Sequence, residues 1–139
     1  MGGGLVGVHN VVGTLVVAAY LVLTILNALR VAGRDISVAR TVSMVAAGLL
    51  LVQYAIGFLL LGGGFQNSAA HYVLALIALL TVGLEHGYAV TRDTTRQRAI
   101  AALIATLGTT ILVGAAHGIG SASESTVEAA LLSALLLFG

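Results

Sequence analysis

The sequence predicts an all-α integral membrane protein: a four-helix up-down bundle carrying a short interfacial helix at its C-terminal end. Three observations carry that reading. Of 139 residues, 59% are hydrophobic and only 8% charged, with a mean hydropathy of +1.09; a water-soluble core is not built from such a composition. Four apolar runs each reach the ~20 residues that a bilayer core requires. All six basic residues are arginines, and all six fall in the connections after the first and third runs.

The opening MGGG has no charged segment, and the apolar run behind it continues for roughly 25 residues, too long for a signal-peptide core. It is taken as the first span, 5–29. Arg30, Arg34, Asp35 and Arg40 make a polar connection to the second span, 41–61, which ends in Gly62, Gly63 and Gly64. Gln66, Asn67 and Ser68 lead into the third span, 69–91. Arg92, Asp93, Arg96 and Arg98 precede the fourth, 99–119. By the positive-inside rule the arginine connections are cytoplasmic and both termini lie outside. Residues 1–120 then form the bundle, and 121–139 an outer polar linker with a short apolar helix. Ser125 and Glu128 fit a capping box, so that helix is expected to start there and to lie on the outer interface. Cysteine is absent, which excludes disulfides and thiolate metal sites. The glycine pairs at 2–4, 62–64 and 118–120 have no strand-to-helix setting, so they are not nucleotide loops, and nucleic acid is not an expected partner.

Ionisable side chains within spans are costly and mark function. His9 is 21 residues from Arg30, His71 is 21 from Arg92, and His117 is 19 from Arg98, so three helices bring a histidine to one level. On the first span His9, Gly13, Tyr20, Thr24 and Asn27 share a face; on the second, Ser43, Ala47, Leu50, Tyr54 and Gly57. On the third, His71 is followed by Ala75, Ala78 and Val82, and on the fourth Thr106, Thr110, Gly114 and His117 align. Small and polar residues face inward in membrane bundles. Two imidazoles from diagonal helices are suited to ligate a porphyrin iron, which selects His9 and His71, with His117 as a substitute or a neighbour of the ring. A mononuclear three-histidine metal site and simple interfacial anchoring are the competing readings. His86 lies about 22 Å from His71 along the helix. Met44 and Asn27 lie near its depth, and a local Glu85–His86 polar pair is expected there.

The runs HNVVGTLVVAAYLVLTILNALR, LLLVQYAIGFLLLGGG and AAHYVLALIALL, roughly residues 9–90, resemble one half of a heme A synthase. The matching positions are His9, Gln53 with Gly57, and His71 with Ala75. The resemblance implies one heme b between His9 and His71 and, if catalytic, an oxidoreductase acting on a heme methyl group, converting heme O to heme A. Its expected partners are membrane lipid, a second copy of the chain, and terminal-oxidase or heme-biosynthesis proteins. The chain departs from the family in having Val6 and Asn10 where a glutamate and an arginine flank the first histidine, and in having one four-helix unit instead of two. The other functional classes open at this point are a transmembrane b-type cytochrome subunit and a structural subunit without cofactor.

Overall fold

The structure is a computed structural model that describes the backbone of residues 2–138 and the side chains of residues 3–122. Four helices follow one another without a strand among the described residues: α1 (Gly2–Val31), α2 (Ala39–Gly62), α3 (Ala69–Gly83) and α4 (Thr95–Phe138). Between α3 and α4 the chain stays helical through a π turn, Leu84–Tyr88, and a 3₁₀ turn, Ala89–Thr91. Four segments are long and apolar enough to cross a membrane: Gly3–Val31, Ala39–Gly62, Ala69–Thr91 and Thr95–Ala122. These are the four expected spans.

Short polar signals set the helix ends. Gly33 and Gly64 sit at φ of 86° and 87°, a left-handed backbone that glycine adopts without a Cβ penalty, and they turn the chain after α1 and α2. Ser68 caps α3 by accepting from the His71 backbone N–H at 3.3 Å. Before α4, Thr94 Oγ1 accepts from the Gln97 N–H at 3.1 Å while Gln97 Oε1 accepts from the Thr94 N–H at 3.3 Å, a reciprocal capping box.

The core runs along α1. Val16, Tyr20 and Leu23 are buried against Ala46 and Leu50 of α2, Ala78 of α3 and Val113 of α4. Polar side chains join helices where lipid offers no partner: Thr24 to Thr110 at 2.9 Å, Thr81 to Thr109 at 2.7 Å, and Asn27 Nδ2 to Thr106 Oγ1 at 3.4 Å. The large residues that face outward, such as Leu51, Phe58, Ile104 and Ile111, form the lipid surface. Backbones pack closely between α1 and α2, α1 and α4, and α3 and α4, which leaves α1 and α3 diagonal. The α2–α3 seam is different: it lacks such packing and is bridged by side chains. Tyr54 OH donates to the Ala75 carbonyl, and Ser43 Oγ donates to Glu85 Oε1 at 2.6 Å.

One expectation is corrected. No separate helix begins at Ser125, because α4 continues unbroken over 44 residues from Thr95 to Phe138. The three serines and one glutamate of 121–125 carry only a small helix penalty, there is no proline, and a capping sequence does not interrupt a helix already propagating. At ~1.5 Å per residue α4 is about 66 Å long, roughly twice the hydrocarbon thickness. The side-chain placement expected for 127–138 on the interface lies outside the described residues.

Candidate functional site

The bundle has two polar ends, named here for the side chains that mark them. At the histidine end His9, His71 and His117 come together as the helical faces predicted. The rings of His9 and His71 face each other across the diagonal, their centroids 6.4 Å apart and their planes at 56°. His71 Nδ1 lies 2.9 Å from the Ala116 carbonyl of α4. A carbonyl only accepts, so Nδ1 carries the proton and Nε2 keeps its lone pair, the arrangement that orients ligating histidines. The Gln53 amide nitrogen of α2 is 3.1 Å from His9 Nε2. His117 turns aside: its Nε2 is 3.2 Å from Thr14 Oγ1, whose own proton goes to the Asn10 carbonyl at 3.0 Å.

Each of these rings rests on a glycine of another helix. A methyl group on Gly57 would lie 3.3 Å from His9 Cε1, one on Gly120 would lie 3.2 Å from His71 Nδ1, and one on Gly13 only 2.8 Å from His117 Nδ1. Gly13 and Gly57, which the sequence places on inward faces, are therefore ring seats, and Gly120 is a third. The positions that carried the family resemblance converge as well: Gln53 and Gly57 both meet His9, and Ala75 lies beside His71 on the cavity wall.

Among the described residues no group of three His, Asp or Glu donors converges tightly enough to hold one metal ion. His117 addresses Thr14 instead of a point shared with His9 and His71. The His9–His71 centroid separation is that of two imidazoles on one iron, since two metal–nitrogen bonds of about 2 Å plus the nitrogen-to-centre distance in each ring add to roughly 6–6.5 Å, while the Nε2 lone pair of His9 here meets the Gln53 amide. As a container the same region is tight. The cavity bounded by Gly13, Gln53, Tyr54, His71, Ala75 and His117 holds about 50 Å³, against roughly 300–1,000 Å³ for small-molecule sites.

At the arginine end the geometry is reversed, with few ligand-like pairs and much more room. A cavity of about 610 Å³ opens among all four helices, walled by Leu23, Ala39, Ala89 and Ala102 and containing Asn27, Ser43, Glu85 and His86. Met44, named from the sequence as the residue at His86 depth, lines the same space. Glu85 is buried and His86 half-buried, with His86 Nε2 3.4 Å from Ser43 Oγ. The expected local Glu85–His86 pair is thus a three-residue group centred on Ser43 of α2. Sequence reasoning missed this partner, and it missed the π turn that carries both residues. A π turn places more residues per turn than an α turn and changes the face they present; such turns are frequent at functional sites. Gly83 and Gly87, on either side of the pair, were the available signal.

No protein-family model, curated protein or solved structure matches the chain significantly.

Proposed function

We propose that the protein is a membrane heme b protein of the heme A synthase type, with His9 and His71 as the axial ligands and the histidine end facing outward. The facing of these two rings at 6.4 Å across diagonal helices is the observation that carries the reading. The chain's own contribution is orientation. The Ala116 carbonyl fixes the proton of His71 on Nδ1, Gly57 and Gly120 leave space for the edges of the two rings, and His9 becomes a ligand once its Nε2 exchanges the Gln53 amide for the iron. A bound heme supplies one-electron redox chemistry, while the protein sets its position and surroundings. Room for the macrocycle requires α2 and α3 to part, and this seam is held by side chains instead of close backbone packing. His117, on Thr14, stands beside the ring as a neighbour instead of a third ligand.

The test is the absorption spectrum of the purified full-length protein, followed by pyridine haemochrome analysis. One heme b per chain is expected, and its absence from protein expressed with ample heme would overturn the reading. The orientation is checked separately in intact cells. Cysteines at Gln66 and Ser121 should react with an impermeant reagent, whereas one at Thr95 should not. Two such units side by side would match the two-unit size of the family, and a dimer mass in mild detergent checks that expectation.

A further inference from the structure

We propose that the cavity at the arginine end is a binding site for a quinol-class lipid, a dihydroxylated aromatic head on an apolar tail, with a head hydroxyl donating to Glu85. The inference goes beyond the heme reading and does not depend on it.

Glu85 is 6% exposed, and its two oxygens are in different situations. Oε1 accepts from Ser43 at 2.6 Å, while Oε2 is buried on the wall of the cavity without a hydrogen-bond partner. A buried carboxyl oxygen left unpaired costs about 1–3 kcal/mol or more, so a ligand that donates an O–H there gains what the fold leaves unmet. The volume of about 610 Å³ lies within the range of roughly 300–1,000 Å³ that accommodates an organic head group.

The surroundings narrow the ligand class. An anionic head without an O–H brings no proton to Oε2, which stays unpaired. Of the three arginines that line the cavity, Arg30 bonds Asn27 Oδ1 at 3.0 Å and Arg98 the Arg92 carbonyl at 2.7 Å, and Arg40 lies exposed at the mouth, away from the buried carboxyl. A hydrocarbon chain leaves Oε2 unpaired. Water satisfies it but wets the Leu23, Ala39, Ala89 and Ala102 walls. A head with hydroxyls at both ends brings one to Glu85 and keeps a second for the other polar groups that line the same cavity, among them Asn27 and Arg30. The tail has an exit as well: Met44 and Val90 line the cavity and are 61% and 60% exposed on the surface that faces lipid.

The experiment uses the full chain in phosphatidylcholine nanodiscs under anaerobic conditions, with decylubiquinol as probe and its di-O-methyl ether as the control that cannot donate. Saturable binding of one decylubiquinol per chain is expected, with the ether at least tenfold weaker. Glu85→Leu should weaken decylubiquinol about tenfold, Glu85→Gln should weaken it less while keeping the volume, and Met44→Trp should obstruct the tail. Heme content, measured in the same samples, should stay constant, which separates failure of this site from failure of the heme assignment. Equal binding of quinol and ether, indifference to both Glu85 variants, or displacement of the probe by phosphatidic acid at stoichiometric amounts would overturn the proposal.

Discussion

The two ends of the bundle use the same kinds of residue in opposite ways. At the histidine end three imidazoles sit on three glycines and the remaining cavity is about 50 Å³. At the arginine end one carboxyl, one imidazole and one hydroxyl surround a space of about 610 Å³. The difference begins in the backbone. Glycine under a ring lets helices close on it, so polar groups are positioned at the cost of room. A π turn widens the helix and leaves room, so a polar group is buried before its partners are all in place. As proposed above, the first kind of site suits a ligand that bonds to fixed atoms, and the second one that brings a complementary group with it.

This contrast breaks most completely at His71. Replacing His71 with Ala removes the imidazole whose proton the Ala116 carbonyl fixes, and heme content should fall close to zero. His9→Ala should lose much of the heme, His117→Ala less, and His86→Ala least, because His86 belongs to the other end. Heme-to-protein ratios of the four variants test that order, and full retention in His71→Ala would end the axial assignment.

The glycine seats come next. In Gly13→Ala the new methyl meets His117 Nδ1 at 2.8 Å and Gln53 Nε2 at 3.0 Å, so both side chains must move. Overpacking of this kind costs about 1–3 kcal/mol, and the thermal midpoint in dodecylmaltoside should fall with a shifted heme spectrum. The mirror experiment, Gly87→Ala, meets nothing within 4 Å and should leave both readouts in place. Ser43→Ala sharpens the comparison from the other side. It strips Glu85 Oε1 of its partner in a buried setting, so stability should drop by about 1–3 kcal/mol without loss of heme. The smallest effect is expected for Thr24→Val, midway between the ends. Interhelical hydrogen bonds in membranes average about 0.6 kcal/mol, so the bond to Thr110 should matter little in the same melting assay.

Much of this was legible in the sequence because it depends on one dimension. Span lengths, the arginine connections and the common level of His9, His71 and His117 follow from counting residues along helices of known rise. Inward faces were legible for the same reason: the 3.6-residue period put Gly13, Tyr20 and Asn27 on one side of α1, and they are buried. What was not legible depends on lateral register. Whether Ser43 meets Glu85 is decided by how far α2 slides against α3, and no periodicity within either helix encodes that. His117 shares the level of the other histidines, yet its rotation toward Thr14 takes it out of their shared point. The continuous α4 escaped for a third reason, since the polar residues of 121–125 look like a boundary by composition while costing a helix almost nothing.

The loose α2–α3 seam also bears on how the chain enters the membrane. Only 11% of an apolar 18-residue window of α2 is buried by other helices, so this stretch faces mostly lipid and its insertion rests on its own apolar side chains. The third span brings Glu85 and His86 with it and is the least apolar of the four, which makes it the segment least able to partition alone. Synthesis delivers α2 first. Ser43 is then already at membrane depth when Glu85 leaves the ribosome, so the bond that bridges the seam in the finished bundle also offers the third span an assistant during its insertion.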